Sequence, residues 1–196
     1  MIAVALLMMT LRDKIPTDMV DIRTECPRIV VELRYMTSRN GIHRAVYPKG
    51  SRCLLRRGVA QRLERVQARL AKAGLGIKIW DAYRPLSAQR ALWEICPDKR
   101  FVALPARGSK HNRGAAVDLT LINSNGKELA MPTGFDTFSA RAHPDYAGGT
   151  REQRHHRDAL RNAMMAEGFV PAKYEWWHFH APDWKRYGLT DVSLRR

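Results

Sequence analysis

Between Ser109 and Leu121 the chain reads SKHNRGAAVDLTL. Val117, Leu119 and Leu121 alternate with other residues, which is a strand signature because successive side chains point to opposite faces. Ala116, Asp118 and Thr120 then share the second face, which is expected to be open enough to carry a carboxylate. His111 lies seven positions before Asp118. In one unbroken strand that odd offset would set the two on opposite faces. Gly114 stands between them and allows the backbone to bend. The stretch therefore predicts His111 in a loop folded back beside Asp118, a pair suited to clamp a metal ion. The plainer alternative is an exposed histidine and an aspartate satisfied by a neighbouring arginine.

A second stretch, EWWHFHA, bears on that choice. A hydrolytic zinc site needs three protein ligands and one open position. His178 can be the third ligand, and His180, on the same strand face, is its rival. Glu175 can act as a general base towards water in the open position. On a regular strand Glu175 and His178 would point to opposite faces. Glu175 must then sit at an irregular start of the strand or reach around it. Core packing accounts for at least one of Trp176 and Trp177. A third stretch, WDAYRP, holds Arg84 between a strand and a rigid proline. A held guanidinium suits the oxyanion of amide hydrolysis. A structural pair with Asp81 is the alternative.

The rest of the chain supplies a frame for these residues. Pro27–Thr37 reads as a strand leading into a loop. Leu54–Gly74 reads as a helix, with Val59, Leu63, Val66 and Leu70 on one stripe and Gly74 at its end. GIKIWDAYRP reads as a short strand that stops at Pro85. SAQRALWEI reads as a helix with Ser87 as its N-cap. NSNGKE is a hairpin turn after the strand at Ala115. Met131–Thr150 is a long irregular stretch, a length usually reserved for functional or disordered loops. REQRHHRDALRNAMMAEGF is an amphipathic helix with Leu160, Met164 and Met165 apolar and Gly168 as its cap, and YEWWHFHAP is a strand ended by Pro182. No regular alternation of strand and helix runs through this order. The expected class is α+β: a single domain over 1–196 with a central, mainly antiparallel sheet flanked by helices.

Charge and cysteines narrow the function classes. The 34 Lys and Arg residues against 19 Asp and Glu give a formal charge of +15. Such a surface favours anionic partners, including an anionic cell-wall polymer, or serves solubility alone. No nucleic-acid-binding motif accompanies it, so nucleic acid is not an expected partner. Cys26, Cys53 and Cys96 are far apart and form neither a disulfide framework nor a cysteine zinc site. The apolar run Ile2–Met9 is too short to span a membrane. It also lacks the basic start and cleavage site of a signal peptide. Residues 1–15 are read as a flexible or signal-like segment. The cytoplasm is the expected compartment, and the periplasm is the alternative if the segment is a degenerate signal.

Together these residues resemble the D-alanyl-D-alanine dipeptidases of the VanX type, within the D-Ala-D-Ala metallopeptidase group. The group's S-x-H-x-x-G-x-A-x-D pattern is met by Ser109, His111, Gly114, Ala116 and Asp118. Its later E-x-x-H pattern is met by Glu175 and His178. Tyr83-Arg84-Pro85 adds to the match, which runs from about Val31 to Pro182. The resemblance implies a Hedgehog/DD-peptidase type of zinc peptidase fold and one zinc ion per chain. It implies His111, Asp118 and His178 as zinc ligands, Glu175 as catalytic base and Arg84 as transition-state stabiliser. Tyr35 and Asp136 match positions near the substrate amino group, and Ser109 matches a pocket residue. The implied substrate is the small dipeptide D-Ala-D-Ala. Its hydrolysis serves glycopeptide resistance or D-alanine recycling, and the oligomeric state is left open.

Two departures from the family fall in loops that shape the pocket. One is Met131–Asp136, which reads MPTGFD. The other is Tyr35–Gly41, which reads YMTSRNG. A murein D,D-carboxypeptidase or endolysin-like peptidase is the rival enzyme reading. A zinc-binding domain without activity is the other rival, although such a domain has no need of Glu175.

Overall fold

The strand expected after Gly114 runs through the sheet as β5 (Ala116–Asn123). The structure is a computed structural model and describes residues 15–195. The run Ile2–Met9, and with it the signal-like reading, lies outside the described residues. Before β5 come β1 (Met19–Asp21), the single turn α1 (Ile22–Glu25), β2 (Val30–Val31) and β3 (Leu54–Arg56). Then follow α2 (Arg57–Ala71), β4 (Leu75–Asp81) and α3 (Leu86–Ile95). After β5 come α4 (Arg151–Ala166), β6 (Val170–Pro171) and β7 (His178–His180). The main sheet has the order β2-β4-β5-β7-β6, and β1 pairs with β3 in a separate ribbon. Within the main sheet only β2 and β4 run parallel. The fold is thus α+β with a mainly antiparallel sheet, as the element order implies. No helix among the described residues is long and apolar enough to cross a membrane.

Most local signals act where the sequence places them. Val59, Leu63, Val66 and Leu70 form the buried stripe of α2. Gly74 follows that helix with φ +69°. Thr150 and Gln153 cap α4 reciprocally. In the NSNGKE turn the Asn123 N–H donates to the Lys127 carbonyl, and Glu128 bridges back to Ile122.

Four expectations are corrected here, three of them by a contact distant in sequence. Leu54–Arg56 is not the start of α2, because it pairs with β1 as β3. Ser87 does not cap α3; it lies inside the first turn, and Asp191 Oδ1 accepts from the Leu86 N–H at 3.0 Å. Met165 is 52% exposed and lies off the core stripe of α4. The second face of β5 is not open, since every residue from Ala116 to Ile122 is buried. The segment after the hairpin folds back over that face, so that Leu129, Met131 and Phe135 share a cavity with Thr120. Asp118 is only 3% exposed.

Gly114 is the bend that the motif requires. It ends the 3-10 turn His111–Arg113 in the left-handed region, at φ +67°. A Cβ there would meet Met19 Cε at 2.9 Å and the Arg56 backbone nitrogen at 3.4 Å. Left-handed backbone costs an L-residue roughly 1–2 kcal/mol. Gly114→Ala is therefore expected to lower stability by about that amount. Chemical denaturation checks this, and an unchanged midpoint would show that the bend tolerates a side chain.

Candidate active site

Strand pairing sets three side chains in a row. Asp118 on β5 stands opposite Asp81 of β4 on one side and His178 of β7 on the other. The register of β4 shifts between Ile79 and Asp81, which brings Asp81 opposite Asp118 where a regular ladder would bring Trp80. Direct cross-strand partners project from the same face at close range. His111 joins them from its 3-10 turn, a more ordered setting than the loop expected for it.

The nitrogens and oxygen of this group converge. His178 Nδ1 lies 2.9 Å from Asp118 Oδ1 and 3.0 Å from His111 Nε2. His111 Nε2 lies 3.4 Å from Asp118 Oδ1. Zinc bonds of about 2.0–2.1 Å at tetrahedral angles space neighbouring ligand atoms roughly 3.3 Å apart, close to these separations. The tautomer fits as well. His111 Nδ1 lies 2.7 Å from the Ala82 carbonyl and donates to it, which turns the Nε2 lone pair towards the group. Burial alone would raise the Asp118 carboxyl, but the two imidazoles hold it below the usual carboxylate range. Burial lowers His178, against the pull of Asp118. Donor set, spacing and tautomer all fit a zinc ion.

His180 stands apart. Its Nδ1 lies 3.2 Å from Lys110 Nζ, and burial followed by the Lys110 charge pushes it down to about 3. The convergent group among the described residues contains His178 and not His180.

The expected strand over YEWWHFHAP shrinks to His178–His180, and this places Glu175. Residues 175–178 form a turn, in which the His178 N–H donates to the Glu175 carbonyl at 3.3 Å. Glu175 thus sits at an irregular strand start and reaches the same cavity as His178. Burial raises its carboxyl well above the usual range, as do the charges of Asp118 and Asp136, against the pull of Arg84. Trp176 and Trp177 are both core residues. The indole N–H of Trp176 donates to Thr133 Oγ1 at 2.8 Å.

Arg84 meets both of its readings. Its Nε and Nη2 donate to Asp81 Oδ2 at 3.0 and 2.7 Å, and its Nη1 donates to Gln89 Oε1 at 3.1 Å. Asp81 is fully buried, and its other oxygen accepts from the Tyr47 hydroxyl at 2.6 Å. The pair with Asp81 holds the guanidinium at the cavity wall, with Nη2 3.8 Å from Asp118 Oδ2. Tyr35 and Asp136 form a second buried pair. The tyrosine hydroxyl donates to Asp136 Oδ2 at 2.9 Å, and the Gly41 N–H donates to the same oxygen at 3.1 Å. A Cβ on Gly41 would come within 2.5 Å of Asp136 Cβ, so only glycine permits this approach. Burial, with the charge of Asp118, pushes Asp136 up to about 7. Ser109 Oγ accepts from the Asn112 N–H at 3.3 Å.

All eight candidate residues named from the sequence line one cavity of about 380 Å³. Three supporting residues carry no signal in a single sequence. Tyr47, Gln89 and Gly41 sit in loop or helix contexts with nothing to mark them. Asp81 was visible as the partner of Arg84.

The family model described as D-ala-D-ala dipeptidase, of the M15 peptidases, matches residues 16–192. The chain belongs to this family. Two D-alanyl-D-alanine dipeptidases illustrate the relationship. That of Escherichia coli (strain K12) is 36% identical over 173 residues, covering 88% of this chain and 89% of that protein. That of Enterococcus faecalis (strain ATCC 700802 / V583) is 30% identical over 146 residues, covering 65% and 72%. The solved structure of the LD-carboxypeptidase LdcB shares the fold, with a TM-score of 0.50 at 19% identity, covering 88% of this chain and 73% of that one. As an M15 peptidase, the protein has its strand-borne Asp118 and His178 and its turn-borne His111 and Glu175 around one cavity.

Proposed function

We propose that this M15 peptidase hydrolyses the free dipeptide D-Ala-D-Ala to two D-alanines, with one zinc ion per chain. The observation that carries the reading is the convergence of His111 Nε2, Asp118 Oδ1 and His178 Nδ1 in a cavity that also holds Glu175 and Arg84. These three side chains would hold the zinc. Bound there, zinc would lower the pKa of water to about 7 and polarise the scissile carbonyl. Glu175, its carboxyl raised by burial, takes the proton of the attacking water. It then delivers that proton to the amide nitrogen as the C–N bond breaks. Arg84 is held by Asp81 and Gln89 where a developing oxyanion needs a cation. Asp136 and Tyr35 receive the substrate ammonium, whose charge draws the Asp136 carboxyl back towards ionisation.

Turnover of D-Ala-D-Ala that a chelator abolishes and zinc restores tests the activity. Blocking the amino group tests the role of Asp136 and Tyr35. Hydrogen bonds to a charged group are worth roughly 1.5–3 kcal/mol, so N-acetyl-D-Ala-D-Ala is expected to lose about 10- to 150-fold in kcat/KM. Equal turnover of the blocked and free dipeptides would favour a D,D-carboxypeptidase. Arg84→Lys keeps a positive charge but cannot reproduce the fork on Asp81. It is expected to lower kcat by about 10²–10³-fold, the scale of one lost oxyanion donor, with zinc retained. A variant of unchanged kcat would leave Arg84 a purely structural partner of Asp81.

A further inference from the structure

The cavity carries more positive charge than a plain dipeptide uses. Lys99, Arg100, Arg107, Lys110 and Arg113 all line it. All five come from one segment, the connection between α3 and β5. The acidic lining residues Asp118, Asp136 and Glu175 come from other parts of the chain. Some arginines elsewhere are matched by carboxylates, as Arg57 is by Glu25 and Arg65 and Arg69 are by Glu167. Of the five cavity cations, only Arg100 has a carboxylate partner among the described residues, Asp98 at 2.6 Å. Lys110 Nζ rests against His180 and 5.6 Å from the centre of the Trp184 ring. Arg113 donates to the Tyr187 carbonyl and stacks on the same ring. Lys99 and Arg107 are exposed.

Unmatched cations in a concave site attract anions and bind them through charge-assisted hydrogen bonds. The α-carboxylate of a dipeptide is one anion and needs one or two donors. The volume points the same way. Cavities of roughly 300–1,000 Å³ hold drug-sized ligands, so about 380 Å³ leaves room beyond two methyl side chains.

We propose, building on the dipeptidase reading, that the basic part of the cavity is a subsite for an anionic side chain, and that the enzyme accepts dipeptides D-Ala-D-Xaa whose C-terminal residue is D-Asp or D-Glu. The ammonium end goes to Asp136 and Tyr35. The opposite end then meets the basic segment, where the α-carboxylate and the side-chain carboxylate are both received. Arg107 and Lys99 determine specificity by meeting the second carboxylate. They take no part in bond breaking.

The test compares kcat/KM of the zinc-loaded enzyme for D-Ala-D-Ala, D-Ala-D-Glu, D-Ala-D-Gln and D-Ala-D-Lys. The D-Glu substrate is expected to exceed its neutral isostere D-Gln by about tenfold or more at low ionic strength, the worth of one charge-assisted hydrogen bond. D-Lys is expected to be the poorest. Added salt should narrow the gap, because the rim is partly exposed to solvent. In the double variant Arg107→Gln, Lys99→Gln the ratio of D-Glu to D-Gln is expected to fall towards one. Both positions are exposed, so the fold should tolerate the change. Equal rates for D-Glu and D-Gln would overturn the subsite, and so would a ratio unchanged in the double variant. Turnover of D-Ala-D-Ala is the internal control. If it is hydrolysed while the acidic dipeptide gains nothing, only the subsite falls. If none of the four is hydrolysed, the dipeptidase reading falls and the subsite with it.

Discussion

Glu175→Gln is expected to hold zinc at the wild-type ratio and to lose at least 10²–10⁴-fold in kcat, the usual worth of a general acid–base group. Glutamine keeps the shape of the side chain but can neither take a proton from water nor return it to the leaving nitrogen. Both transfers are lost at once. Zinc should stay, because the convergent group proposed to hold it is His111, Asp118 and His178 without Glu175. Stability gives an independent readout with a definite sign. The Glu175 carboxyl is raised in the folded protein by burial and by Asp118 and Asp136. A carboxyl raised above its unfolded value costs stability as pH climbs from the unfolded pKa through the folded one. At neutral pH the glutamine variant escapes that cost. Its zinc-free form should therefore unfold at the same temperature as the wild type or higher. Activity down with stability kept is the mark of a group retained for chemistry. A variant that binds zinc and stays nearly fully active would make Glu175 a bystander. A zinc-free variant would make it a ligand.

The parts of this fold that could be read from the sequence are those governed by neighbours in the chain. Alternation marks β5, the 3.6-residue stripe marks α2, and Gly114 marks the bend that returns His111 to Asp118. The parts that could not be read depend on distant partners. Ser87 has the chemistry of a cap, but the cap of α3 comes from Asp191 near the other end of the chain. Leu54–Arg56 fits the α2 pattern well enough, yet the hydrogen bonds available from β1 outweigh one more helical turn. The face that Asp118 shares with Thr120 looks open because the covering of Thr120 arrives from the segment after the hairpin. The candidate site was legible where its residues sit in short motifs, as His111, Asp118, Glu175, His178 and Arg84 do, whereas Tyr35, Asp136 and Ser109 entered only through the family resemblance. Two open choices at the site end differently. Arg84 is both a partner of Asp81 and a wall of the cavity, so its alternatives were never exclusive. Glu175 and His178 escape the conflict of strand faces because the strand begins only at His178.

Replacing each histidine of HFH in turn separates ligand from neighbour. His178→Ala is expected to leave the protein nearly free of zinc and without measurable turnover, whereas His180→Ala is expected to keep both. The two residues lie on the same face of β7, so strand geometry alone cannot choose between them. Their cross-strand partners favour His178. His178 stands opposite Asp118 and meets its carboxylate at 2.9 Å, while His180 stands opposite Ala116, which offers no ligand. The His180 ring centre is 6.2 Å from that of His178, and its Nδ1 is turned to Lys110. A zinc ligand must come within about 2.0–2.1 Å of the metal, which the Lys110 contact does not allow for Nδ1 without a new rotamer. Groups that only orient a ligand are worth roughly 10–100-fold in metal affinity, so loss of a ligand should exceed that range. His180→Ala should fall within or below it, acting through Lys110. Zinc content after dialysis against a weak chelator reads the difference directly. Retention of zinc by His178→Ala together with its loss from His180→Ala would reverse the ligand assignment and move the centre of the site along β7.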